Sequence, residues 1–259
     1  MKKICIILIA FLSLLVISLN GCSNLGYIVG TGPIMEKTYD YQDFTGIEVS
    51  NAFQFDIQRS SSYGITITTR ENIIPYLDIY KSGKILVVRL KPGSFTNADL
   101  RAAITLPDLY NLSVSGASKG AVSGFKADPN LDLKVSGASQ LEMDLEAGTA
   151  QIDVSGASKV TGDLKAQDTR LTISGASRCQ LTGTSGMANI DVSGASTFDS
   201  PDLQMSGADI NVSGASRATI RSNGHLNVDV TGASTLSYLG NPVLDKVNVE
   251  GASKINRQY

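Results

Sequence analysis

The constraint that dominates this sequence is a pentapeptide written eight times. "VSGAS" stands at 114–118, 135–139, 154–158, 192–196 and 212–216, and "ISGAS" (173–177), "VTGAS" (230–234) and "VEGAS" (249–253) complete the series. The motif glycines are Gly116, Gly137, Gly156, Gly175, Gly194, Gly214, Gly232 and Gly251, separated by 21, 19, 19, 19, 20, 18 and 19 residues. A period this short excludes repeats built of helix pairs. It fits a β-solenoid, in which each repeat is one coil of chain.

The residues around each glycine alternate in character. Two before it stand Val114, Val135, Val154, Ile173, Val192, Val212, Val230 and Val249; four before it stand Leu112, Leu133, Ile152, Leu171, Ile190, Ile210, Val228 and Val247. All are aliphatic, and the position between them is polar in every copy, which is the period-two pattern of a strand with one buried face. Four residues after the glycine a second inward column reads Leu141, Val160, Cys179, Phe198, Ala218, Leu236 and Ile255, with Gly120 as the exception.

Each rung therefore reads as a strand, a tight corner at Gly-Ala-Ser and a second strand. Glycine accepts the positive φ of a corner, and alanine fits where a branched side chain would not. Stacked serines are placed to share hydroxyl hydrogen bonds. The expected fold is all-β: a right-handed parallel β-helix or β-solenoid of about eight regular ~19-residue rungs, preceded by irregular lead-in strands. At ~4.8 Å per rung these make a rod segment of ~35–40 Å, with the corners in one line.

The chain opens "MKKICIILIAFLSLLVISLNGCSN". Two lysines, a short apolar run from Ile4 to Leu19 and a small residue before the break describe an export signal and not a membrane span. Leu19-Asn20-Gly21-Cys22 resembles the bacterial lipoprotein signal. That resemblance implies that residues 1–21 are removed and that Cys22 becomes a lipidated first residue anchoring the protein to a membrane. Ser23 in place of aspartate implies the outer membrane where the cell has two. Cys5 leaves with the signal, so Cys179 is the one remaining thiol and no internal disulfide is available. Its inward position reads as a small buried hydrophobe, not a nucleophile.

Residues 22–42 read as a tether and 111–259 as the regular solenoid. Between them, 43–110 carries strand-like segments at 44–49, 52–59, 64–69, 77–81, 85–90 and 101–106 without the regular period. "IEVSNAF" (47–53) looks like a worn copy of "LSVSGAS", with Ile47 and Val49 inward and Asn51 at the left-handed corner. The segment reads as irregular rungs of the same solenoid; a separate small β domain is the alternative. These motifs carry a family likeness. "FTGIEVSNAFQFDI" at 44–57, "ITLPDLYNLSVSGASK" at 104–119 and the serial S-G-A-S rungs resemble the head GIN domain family of exported, adhesin-like bacterial proteins. The resemblance covers roughly 43–259. It implies a β-solenoid at the cell envelope and brings no catalytic residues with it.

The residues themselves offer little chemistry. The lone histidine, His225 in "SNGHLN", reads as an exposed turn residue, and the repeated serines are too alike to include one distinct nucleophile. No cofactor is implied. In the outward column three before each glycine, Asp153, Asp191 and Asp229 fall on every second rung, ~10 Å apart, too far to share a metal ion. A formal charge of −2 gives no bias toward nucleic acid, and the absence of tryptophan leaves few rings for stacking sugars.

One outward column is patterned. Three residues after each glycine stand Lys119, Gln140, Lys159, Arg178, Thr197, Arg217, Thr235 and Lys254. Its five cations, Lys119, Lys159, Arg178, Arg217 and Lys254, form a stripe that fits an extended acidic surface or envelope polymer; a merely solvated face is the plainer reading. The expected function is a non-catalytic, adhesin-like surface lipoprotein. The alternatives are an envelope scaffold or sensor that self-associates as a homo-oligomer and, third, a β-helix polysaccharide lyase or hydrolase.

Overall fold

The computed structural model describes residues 26–258, so the signal segment and Cys22 lie outside the described residues. The chain is β throughout except for one 3-10 turn, Glu71–Tyr76, among the described residues. Leu112, Leu133, Ile152, Leu171, Ile190, Ile210, Val228 and Val247 pair in turn, all parallel. This is the β-solenoid expected from the spacing, with its eight corners stacked.

Alternation explains the core. The residues two and four before each glycine are buried in the first seven copies, and Leu141, Val160, Cys179, Phe198, Ala218 and Leu236 close the interior from the other strand. Burial of each Val, Leu, Ile or Phe side chain among them contributes about 1.5–3 kcal/mol. The last rung departs from this: Val247 is 46% and Val249 40% exposed, because no further coil covers them among the described residues. Within a rung the inward positions are 141, 143 and 145, then 150, 152 and 154. The switch of parity marks a second bend near Gly148, where a Cβ would meet the carbonyl oxygen of Pro129 at 2.3 Å.

Uneven spacing does not disturb the stack. The 21-residue interval places its extra residues in irregularities between Ser123 and Phe125 and between Ala127 and Asn130. The 20-residue interval does so against the Cys179–Gly183 stretch. Both lie away from the Gly-Ala-Ser corners, so bulges absorb the length change and the corner register is kept.

The corners correct the expected roles of alanine and serine. From Gly137 to Gly251 the glycine φ lies between 72° and 80°. The alanine, however, is exposed, and the second serine is the buried residue. Alanine matters through its backbone: Ala157 N–H donates to Gly137 O (2.8 Å), and Ala176, Ala195, Ala215, Ala233 and Ala252 repeat the bond rung by rung. The serines do not bond hydroxyl to hydroxyl. Ser177 Oγ donates to Gly156 O (3.2 Å) and accepts from Ser158 N–H (3.4 Å), with the same donation at Ser196 and Ser216. The hydroxyls of Ser118, Ser139 and Ser158 are buried without a partner.

The strands of 43–110 pair with the solenoid out of chain order. Gly46–Val49 lies between Asn111–Val114 and Ile85–Leu90, parallel to both. Across the corner, Gln54–Arg59 lies between Lys119–Val135 and Arg101–Leu106. Ile47 and Val49 are buried, and Asn51 takes a φ of 64°. Antiparallel strands Gly64–Arg70 and Leu77–Ser82 cover that end of the stack. Part of the segment read as tether is strand: Ile34–Thr38 pairs antiparallel with Gly64–Arg70.

Candidate functional surface

The residue three after each corner glycine points outward because the next one points in. Lys119, Gln140, Lys159, Arg178, Thr197, Arg217, Thr235 and Lys254 pair in register over eight successive rungs. All five cations are exposed. Among the described residues none of them joins an ion pair. Lys159 and Arg178 are direct cross-strand neighbours, an arrangement that repels mildly unless an anion lies between them.

The N-terminal end of this column opens into a groove of about 530 Å³, lined by Gln54, Lys119, Gln140, Lys159 and Glu142 over Phe55 and Leu141. Gly120, the exception in the inward column, lies at its floor. A Cβ there would lie 2.1 Å from the carbonyl oxygen of Phe55 and 2.6 Å from its ring, so the buried phenylalanine of the rung below occupies the space of the missing side chain. The exception in the inward column is thus a packing requirement.

The remaining residues singled out in the sequence are placed apart from this groove. Cys179 is fully buried, and burial pushes its thiol up to about 12, which keeps it protonated and unreactive. His225 is exposed, as expected, but it starts the strand His225–Val230, with Nδ1 2.7 Å from Asp245 Oδ2 of the next rung. Asp153, Asp191 and Asp229 alternate with Thr172, Asn211 and Asn248 along their ladder. A neighbouring column adds Asp209, which accepts a 2.6 Å bond from Asn227 Nδ2.

Sequence reasoning missed a charged cluster at the second bend. Lys126, Glu146 and Lys165 stand in register, with Glu146 oxygens 2.8 and 3.8 Å from the two ammonium groups. The hydrogen bond from Lys126 holds the Glu146 carboxyl below its ordinary value. Counting from the glycine aligns Glu146 with Lys165 but misses Lys126, which the bulge between Ser123 and Phe125 shifts by one residue.

A solenoid with stacked S-G-A-S corners and strands at 46–59 joined in register to the regular rungs can now be set beside known proteins. The family described as "Putative auto-transporter adhesin, head GIN domain" matches residues 43–242. The chain belongs to the head GIN domain family. Solved structures with this fold include a "putative adhesin" from Parabacteroides merdae at TM-score 0.82 and 20% identity, covering 90% of this chain and 99% of that one. A "Putative lipid binding protein" from Parabacteroides distasonis aligns at TM-score 0.82 and 17% identity, covering 90% of this chain and 100% of that one. A "putative adhesin" from Bacteroides fragilis aligns at 0.69 and 16%, covering 89% and 100%. At these identities the likeness shows the fold. No curated protein matches the chain. The eighth corner of this head GIN protein, Gly251, lies beyond the matched residues.

Proposed function

We propose that this head GIN protein works by binding, not catalysis, as a lipid-anchored surface solenoid whose basic ladder docks an extended acidic polymer. The observation that carries the reading is the register itself: five exposed, unpaired cations distributed over eight consecutive rungs of one outward column. Membership of an adhesin-like family supports an exported, surface location, and Cys22 is the residue proposed to hold the lipid. The lyase or hydrolase alternative gains no support. Among the described residues no three His, Cys, Asp or Glu side chains are grouped to hold a metal, and the lone histidine sits on a solvated edge.

Each exposed charge contributes on the order of 1 kcal/mol or less, so only a multivalent partner spanning several rungs gains usable affinity. Binding to sulfated or uronate polysaccharides, with neutral dextran as control, should weaken steeply with salt. It should fall progressively as Lys119, Lys159, Arg178, Arg217 and Lys254 are changed to Gln. A folded quintuple variant that holds every polymer the parent holds overturns the proposal. For the anchor, Cys22→Ser should move the protein out of the membrane fraction, and labelled lipid on that variant would refute it.

A further inference from the structure

The corner ladder contains one reversal, and it creates a site. From Gly137 to Gly232 each glycine carbonyl points toward the following rung and accepts the alanine N–H there. Gly116 does the opposite: its carbonyl accepts from Ala52 N–H of the rung on its other side (2.8 Å). The dihedrals give the cause. Gly116 and Ala117 both have positive φ, 63° and 64°, whereas in the later corners the glycine alone does. Positive φ at both central residues is a type I′ turn and at the first alone a type II′ turn, and the two differ by a flip of the central peptide. The Ser115–Ser118 turn also closes on itself through Ser118 N–H to Ser115 O (3.3 Å).

Because C=O and N–H of a trans peptide point opposite ways, the flip turns Ala117 N–H toward the rung of Gly137. The unflipped Gly137–Ala138 peptide turns Ala138 N–H back toward Gly116. The two donors face one gap between neighbouring corners, and neither has an acceptor among the described residues. A Cβ built on Gly137 meets Gly116 N and Ala117 N at 3.2 and 3.9 Å, where every later corner offers a carbonyl oxygen at 2.4–2.6 Å.

A buried hydroxyl stands beside the same gap. By the pattern of Ser177, the hydroxyl of Ser139 should accept from Ser118 N–H and donate to Gly116 O. The first is spent inside the turn and the second has turned away. Ser139 Oγ is fully buried and unpartnered, a state it shares with Ser158 Oγ, which stands over the unflipped Gly137. Lys119 and Gln140, the residues after the two serines, line the adjoining groove on its outer side.

We propose that this gap is an oxyanion nest: one oxygen of a carboxylate, sulfate or phosphate group accepts from Ala117 N–H, Ala138 N–H and Ser139 Oγ, with Lys119 supplying the counter-charge. The site goes beyond the ladder, since its donors are backbone groups at a single place. It rests on the ladder reading only in naming an acidic polymer as the bearer of the anion.

The test is a titration of the full chain, labelled with ¹⁵N, with sodium sulfate, phosphate and acetate against chloride at equal ionic strength. The Ala117 and Ala138 amides should shift together and saturate with at least one oxyanion, while Ala157 and Ala176 stay still. Their hydrogen exchange should be fast without the anion and slow with it. Ala138→Pro removes a donor that makes no internal bond and should weaken the saturable shift of Ala117 about tenfold or more, the worth of one hydrogen bond to a charged group. Shifts that never saturate, exchange that is unchanged by anion, or an Ala138→Pro protein that binds as the parent does would each overturn the nest. If that variant does not fold, the exchange measurement on the parent decides. Loss of the nest with polymer binding intact would leave the ladder standing, and the reverse would leave the nest.

Discussion

Gly175→Ala is the change that most directly interrogates the corner. Gly175 has a φ of +78°, and an added Cβ would lie 2.4 Å from the carbonyl oxygen of Gly156. An alanine held in the left-handed region costs about 1–2 kcal/mol. The contact is the larger cost, because that same oxygen accepts from Ala176 N–H (2.8 Å) and Ser177 Oγ (3.2 Å). Moving it by the ångström needed loosens both bonds, each worth about 1 kcal/mol, with overpacking strain of about 1–3 kcal/mol added. The expected loss is about 3–5 kcal/mol. Gly124→Ala is the control: its φ is +81°, but the nearest atom is Arg59 Cβ at an ordinary 3.5 Å, so only the conformational cost of about 1–2 kcal/mol applies. Guanidinium unfolding followed by far-UV circular dichroism on both variants separates the two contributions. Equal midpoints, or a Gly175→Ala loss no larger than that of Gly124→Ala, would show that the stacked carbonyl does not enforce glycine.

Three other outcomes follow from burial and charge. Val154→Asp or Ile173→Asp places an unpaired carboxylate in the core and should abolish folding, whereas exposed Asp191→Asn should leave the melting temperature within a degree or two, roughly the spread of surface substitutions; equal losses would invert the assigned faces. Cys179, with its thiol raised to about 12, should resist iodoacetamide in the folded protein at pH 8 and react on unfolding, as read by mass spectrometry. Because the folded value lies above the unfolded one of about 8.5, its contribution to stability is intact below that pH and disappears as pH climbs toward 12; native labelling at pH 8 would contradict this. Glu146 has its carboxyl lowered by Lys126, so its stabilising contribution holds above the unfolded value of about 4.3 and fades as pH falls through the folded one. Glu146→Gln should flatten that acid limb slightly in low salt and not in high salt, and a change at neutral pH alone would refute the assignment.

The fold was legible because a solenoid repeats its physics. Any column at fixed distance from the corner glycine meets the same environment in every rung, so Leu112 to Val228 and Lys119 to Lys254 could be sorted into inside and outside by counting. Counting fails where the register is broken. Lys126 escaped because a bulge lies between it and its glycine, which hid its alignment with Glu146, and the alanine was misjudged because its contribution is an N–H that no side-chain pattern displays. The pairing of Gly46–Val49 with both Ile85–Leu90 and Asn111–Val114 was likewise hidden, since spatial order there departs from chain order.

The same reasoning says where binding specificity can arise in such a molecule. A perfect ladder offers identical surroundings at each step, so a ligand laid along Lys119 to Lys254 alone could slide from rung to rung with little preference. A fixed register needs a rung unlike the others. This chain has one: the regular corners meet the irregular end at Gly116, where the turn type changes and Ala117 N–H and Ala138 N–H are left without acceptors among the described residues. That departure from the repeat lies two residues before Lys119, the first cation of the stripe. In the binding proposed above, the repeats would supply length and charge, and the change of turn at Gly116 would supply an end point at which the acidic chain is held in place.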